Sequence, residues 1–141
     1  MATVSVDHIF QLPVDLVWSI LGDFGQTGKW SGRPDEACIQ EGDGIGALRT
    51  LTTRDGRTIV DRLEAQTSYS YTYSIVSAPL PFKTYVATMT VEPIDAMSTR
   101  FRWTGEFEPE GISDAEAIEL TRGMYAMGIG LMRDTFDKRS A

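Results

Sequence analysis

Residues 69–75 read Tyr69-Ser70-Tyr71-Thr72-Tyr73-Ser74-Ile75, with large apolar side chains at odd positions and small polar ones at even positions. Side chains on a β-strand point alternately to its two faces, so this period of two predicts a strand with one covered and one wet face. Working outward, the same odd parity runs through Tyr85, Ala87, Met89 and Val91, then through Phe101, Trp103 and Phe107, with Arg100, Arg102 and Glu106 opposite. Several strands therefore share one interior.

Alternating segments recur near 36–41, 46–53, 58–66, 69–77, 82–93 and 97–107. Turn-rich stretches separate them, among them Glu41-Gly42-Asp43-Gly44, Arg54-Asp55-Gly56-Arg57 and Ala78-Pro79-Leu80-Pro81. No helical stretch lies between these segments, and parallel strands need long crossovers, so the pairing is antiparallel. Residues 2–10 add a seventh strand. Pro13 then opens a short amphipathic helix over Val14 to Leu21, and Gln26 to Trp30 gives a second helical turn before Gly32-Arg33-Pro34. Ser113 with Glu116 three residues on is a capping box, opening a long helix over 113–136. The order is β-α-α-β6-α, an α+β fold. One long helix covers seven strands only if the sheet curls round it, and such a half-barrel readily leaves a hollow.

Composition bounds the chemistry. The chain has 141 residues, read as a single domain over 1–141, with a net charge of −7. That charge disfavours nucleic acid and anionic surfaces as partners, and the longest basic cluster is Lys138-Arg139. With one cysteine, Cys38, and one histidine, His8, no internal disulfide and no Cys/His metal site can be assembled. Neither residue has a motif for covalent catalysis. The N-terminus carries no basic segment followed by an apolar stretch, and eighteen apolar residues never run together, which predicts a cytoplasmic protein without integral membrane association.

A few residues break the pattern. On the strand over 58–66 the inward parity is Ile59, Asp61, Leu63 and Ala65, placing a carboxylate on the apolar face; Arg49, in the parity Ala47, Arg49, Leu51 of the neighbouring strand, supplies a charge partner. Several readings stand: a polar anchor that orients a ligand in the pocket, a structural ion pair, or an Asp61 that reaches solvent past a strand end or lies on the other face. Tyr71, Tyr73, Tyr85, Met89 and Trp103 either line a cavity or fill a core. The long helix contains Gly123, Gly128 and Gly130, each costing about 1 kcal/mol against alanine, which close packing on the sheet or room for a ligand would offset. Met124, Met127 and Met132 beside them make an adaptable wall, with Met127 taken as the ligand contact.

Gly44-Ile45-Gly46-Ala47-Leu48-Arg49-Thr50-Leu51, Asp55-Gly56, Asp61-Arg62-Leu63-Glu64, Tyr73-Ser74-Ile75 and Pro79-Leu80-Pro81-Phe82-Lys83-Thr84-Tyr85 strongly resemble the SRPBCC superfamily. That superfamily joins START, polyketide cyclase/dehydrase and birch-pollen-allergen-like proteins, and its bacterial polyketide cyclase/dehydrase-like branch is the nearest in pattern. Pro13-Val14-Asp15-Leu16-Val17-Trp18, Asp23-Phe24-Gly25 with Trp30, and Trp103-Thr104-Gly105-Glu106-Phe107 also match, so the likeness runs over nearly the whole chain. It implies the helix-grip fold. The pattern also looks like that of plant abscisic-acid receptors, which implies a gate over Arg54 to Thr58, a latch over Ala78 to Phe82, and pocket positions at Arg49, Asp61, Tyr73 and Tyr85. The chain departs from those receptors: Asp61 stands where they have glutamate, the gate is polar, and their ligand-coordinating lysine has no counterpart between Gly32 and Cys38. Hormone reception is not implied.

The function expected is binding of a small hydrophobic or amphipathic molecule, such as a lipid, polyketide or aromatic metabolite, with no cofactor. Arg49, Asp61, Tyr71, Tyr73, Tyr85, Met89, Trp103 and Met127 are its candidate contacts. The alternative is a cyclase- or dehydrase-like enzyme in which Asp61 and Tyr85 do acid–base work beside Arg49 as an electrostatic stabiliser.

Overall fold

A computed structural model gives the structure and describes residues 1–140. Seven strands form one antiparallel sheet in the order β1-β7-β6-β5-β4-β3-β2, with β1 at Ala2–Phe10, β2 at Cys38–Glu41, β3 at Leu48–Thr52, β4 at Thr58–Thr67, β5 at Ser70–Ser77, β6 at Phe82–Asp95 and β7 at Ser98–Pro109. Strands β2 to β7 form a meander of hairpins, and the chain closes by pairing β1 with β7, from Ala2 opposite Phe107 to Phe10 opposite Thr99. Helices α1 (Val14–Leu21) and α2 (Gly28–Ser31) lie between β1 and β2, and α3 (Asp114–Ser140) lies across the concave face. This is the helix-grip fold.

The expected elements are all present, with shifted ends. Glycines explain some shifts: Gly32, at φ +73°, ends α2, and Gly46, at φ +95°, delays β3 to Leu48. A single 3-10 turn at Asp35–Ala37 takes up residues 36 and 37, expected in β2. The capping box forms in both directions, with Glu116 N–H donating to Ser113 Oγ and Ser113 N–H to Glu116 Oε1, each at 3.1 Å.

Curvature is built into the ladders. Between β4 and β5 the register slips at Val60/Asp61 and again at Leu63/Ala65, and an unpaired residue bends its strand and sharpens its twist. The second slip corrects one expectation. Glu64 is an extra residue on β4, so Ala65 falls opposite Thr72 rather than beside an inward tyrosine, and it is exposed.

The inner face of α3 carries Ala117, Thr121, Tyr125, Gly128, Met132 and Phe136 at successive steps of three or four, all buried under the sheet. Of the three helical glycines only Gly128 is placed by close approach: a Cβ there would lie 2.7 Å from the Trp103 ring. Gly123 and Gly130 have nothing within 4 Å. Gly128→Ala should therefore destabilise the protein by about 1–3 kcal/mol through overpacking, despite alanine's better helix propensity. Gly123→Ala should stabilise it by up to about 1 kcal/mol. Urea unfolding of both variants checks the pair; a stabilised Gly128→Ala would show that the helix does not press on Trp103.

Candidate functional site

Between α3 and the concave face lies a cavity of about 260 Å³. Its walls are mainly aromatic and aliphatic: Trp30 from α2, Tyr73 from β5, Tyr85 and Met89 from β6, Trp103 from β7, and Met124 and Tyr125 from α3, with Leu51, Ile59 and Ile75 from the sheet. Thr53, just after β3, and Leu80, just before β6, complete the lining at one end. Its most buried charged groups are Arg49 and Asp61.

Arg49 on β3 stands directly opposite Asp61 on β4, and both are nearly removed from water, at 3% and 2% exposure. Arg49 Nε donates to Asp61 Oδ2 at 2.9 Å, and Nη1 donates to Phe24 O at 3.0 Å and to the Tyr71 hydroxyl at 3.3 Å. The guanidinium also lies 4.3 Å from the centroid of the Phe24 ring and 4.8 Å from that of Tyr73, so aromatic faces replace part of its hydration. Burial opposes the Arg49 charge, but Tyr71, Asp61 and Tyr73 outweigh that loss and hold the group firmly protonated. On Asp61 burial is the larger effect and pushes the carboxyl up, against the pull of Arg49. Its Oδ1 is buried without a hydrogen-bond partner, as is the indole Nε1 of Trp30. Two cavity residues, one with an acceptor and one with a donor, thus carry an unanswered polar atom.

Hydroxyls cluster on the far wall. Tyr85 and Tyr125 share a hydrogen bond, and Trp103 Nε1 donates to Tyr73 Oη at 3.2 Å. Tyr125 stacks on Trp103 at 4.2 Å between ring centroids. Burial drives the Tyr73, Tyr85 and Tyr125 hydroxyls above their ordinary range, so all three stay protonated. Gly105 on β7 admits this arrangement, because a Cβ there would fall inside contact distance of the Tyr125 hydroxyl.

Of the residues singled out from sequence, Arg49, Asp61, Tyr73, Tyr85, Met89 and Trp103 meet around the cavity. Tyr71 stands behind the wall, buried, holding Arg49 rather than facing the space. Met127 is a correction: it is 72% exposed, because one helical step from buried Gly128 turns it to the outer side of α3. Met124 lines the cavity instead. Tyr125 was missed, although the spacing 117, 121, 125, 128, 132, 136 marks it as inward. Trp30 was missed as a wall because a four-residue helix gives no periodicity. Among the described residues, no three His, Cys, Asp or Glu side chains come together as metal ligands, and no helix is long and apolar enough to cross a membrane.

The pair makes a titration prediction. Arg49→Met removes the partner and leaves Asp61 buried and unpaired, costing about 3–5 kcal/mol near neutral pH. Without Arg49 the Asp61 carboxyl rises further, so the folded variant holds that proton more tightly than the unfolded chain. Stability linked to it is full below the unfolded carboxylate value and lost as pH rises through the folded one. The deficit against wild type should therefore shrink as pH falls from about 7 to about 5, and in Arg49→Met/Asp61→Asn it should be smaller and flat across that range. Denaturant midpoints at matched pH test this; a single-variant deficit independent of pH would place the Asp61 charge in contact with water.

Comparison with known proteins agrees with the geometry. The chain is similar to a structurally determined protein from Bacillus thuringiensis, at 30% identity over 96% of this chain and 98% of the other, with a TM-score of 0.84. It is equally similar in sequence to the protein XoxI from Bacillus cereus, at 30% identity over 100% and 99% of the two chains, TM-score 0.86. The di-domain ARO/CYC protein BexL of the BE-7585A biosynthetic pathway shares the fold, with 14% identity and a TM-score of 0.77 over 97% of this chain and 47% of BexL. No curated protein shows significant sequence similarity to it. Residues 1–137 match the family described as polyketide cyclase/dehydrase and lipid transport, and the chain belongs to that family.

Proposed function

We propose that the protein binds a small hydrophobic or amphipathic molecule in the cavity under α3, as a single ligand-binding domain. The observation that carries this reading is an apolar cavity of about 260 Å³ between α3 and the sheet, partly open to solvent, walled by five aromatic residues and bordered by a buried ion pair. A concave, mainly apolar space with a few convergent polar groups is the usual form of a small-molecule site. The cavity lies just below the usual range for ligand pockets, about 300–1,000 Å³, which suits a compact ring system better than a long acyl chain. Arg49, Asp61, Tyr73, Tyr85, Met89 and Trp103 would be its contacts, with Trp30, Met124 and Tyr125 completing the wall.

A catalytic reading is favoured by one observation, the unpartnered Oδ1 of a carboxyl that burial pushes up. Such a group can take and return a proton beside a bound carbonyl, while Tyr85, held protonated, can only donate. The family's description, polyketide cyclase/dehydrase and lipid transport, makes cyclisation or dehydration of a polyketide the reaction class for that reading.

Titration calorimetry with 2-naphthol as probe tests binding. Wild type should bind saturably; Met124→Trp, which fills the cavity, should weaken binding at least about tenfold, and Met127→Trp on the outer face should not. Asp61→Asn should also weaken it about tenfold, or 1.4 kcal/mol, with Glu64→Gln unchanged. Native mass spectrometry of protein from its own host would reveal a retained small molecule, and a bound species differing from its supplied precursor by one water would favour the enzyme. No saturable binding together with no adduct would sink the proposal.

A further inference from the structure

The cavity has a second cation, and no carboxylate answers it. Arg33, half-buried in the loop after α2, lines the cavity beside Ser31 and Thr53. Its guanidinium makes one hydrogen bond, from Nη2 to the carbonyl of Thr52 at 3.1 Å, and no ion pair among the described residues. Asp35 and Glu36, the carboxylates next along the chain, are exposed on the following 3-10 turn, and neither pairs with it. A half-buried guanidinium with most of its donors free is a ready partner for a planar oxyanion, which it can bind in a bidentate way.

The loop is built to hold this side chain in place. Gly32 turns the backbone at φ +73°, and the N–H of Arg33 donates to Ser31 Oγ at 3.2 Å. Gly28 lets the Arg33 carbonyl come close, since a Cβ there would lie 2.9 Å from it, and Pro34 stiffens the exit. The bond to Thr52 pins the guanidinium at the end of β3. Arg49 stands three residues before Thr52 on the same strand, about 10 Å along the backbone by strand rise, with Leu51 on the cavity wall between the two positions.

The two cations are not equivalent. Arg49 has its Nε and Nη1 donors taken by Asp61, Phe24 and Tyr71, and a carboxylate arriving there would meet the Asp61 charge. Arg33 has no such neighbour. We infer that Arg33 is the anion-binding group of the cavity and that the ligand is an amphipathic organic acid, its apolar body among the aromatic walls and its carboxylate on Arg33 at the end of β3. This deepens the small-molecule reading and rests on it.

Two probes of one shape separate the claims: naphthalene-2-carboxylate and its neutral amide, each titrated calorimetrically at neutral pH. Wild type should bind the carboxylate roughly tenfold more tightly than the amide, the scale of a charge-assisted bond at a half-buried site. Arg33→Gln should erase that preference by weakening only the carboxylate, with thermal unfolding checking that the variant is folded. Arg33→Lys should keep part of the preference, because charge survives without the bidentate fork. If wild type binds both probes alike, or Arg33→Gln keeps the preference, the assignment of Arg33 is overturned while the cavity stands. If neither probe binds, this inference falls, and the small-molecule reading falls with it only where 2-naphthol also fails to bind and no adduct is retained.

Discussion

A guanidinium that has lost nearly all its water must be surrounded by acceptors and π-faces, and around Arg49 that requirement organises four parts of the chain. Asp61 answers the charge from the next strand, the Phe24 carbonyl reaches in from the loop after α1, and Tyr71 and Tyr73 stand on β5. None of these can move far without stranding a buried charge. The loop between the two short helices, which a seven-stranded sheet alone would leave free, is tied to the sheet by two bonds to backbone oxygens, from Arg49 Nη1 to Phe24 O and from Cys38 Sγ to Gly25 O at 3.4 Å. Trp30 then closes the cavity, and Thr135 Oγ1 on α3 donates to the Trp30 carbonyl at 3.2 Å, carrying the tie across to the long helix.

The second constraint is space. Two aromatic rings, Trp103 and Tyr125, stack between sheet and helix, and glycine occurs on both sides of that stack, Gly105 on β7 and Gly128 on α3. A side chain at either position would collide with a ring that is itself pinned. The sheet bends round the stack through its register slips and leaves the hollow beside it. Apolar packing and polar anchoring therefore sit at different walls of one cavity, which is what an amphipathic guest requires.

Much of this was legible in the residues. Strict alternation in Tyr69 to Ile75 and in the two long strands placed the tyrosines and Trp103 inward, and the odd charges at 49 and 61 marked themselves by standing in an apolar parity. Legibility failed where periodicity fails. The slip at Glu64 turned Ala65 outward, and a bulge has no signature in a single sequence. Met127 was drawn inward by its methionine neighbours when the helical phase of Tyr125 and Gly128 pointed elsewhere. Arg33 and Trp30 lie in short irregular segments, where only tertiary contacts decide which side chains face the cavity.

The pairing of β1 with β7 bears on how the protein comes off the ribosome. Ala2 finds its partner in Phe107, so the first of the seven strands to be made is among the last to be satisfied. At about 5–20 residues per second that delay is roughly 5–20 s, during which β2 to β6 can assemble from neighbouring hairpins while β1 waits. The nascent sheet presents β6 as a bare edge until β7 emerges, and α3 cannot dock until after that. Within this fold the cavity is thus the last part to be formed during synthesis, and a guest already present in the cell could enter before the long helix settles over it.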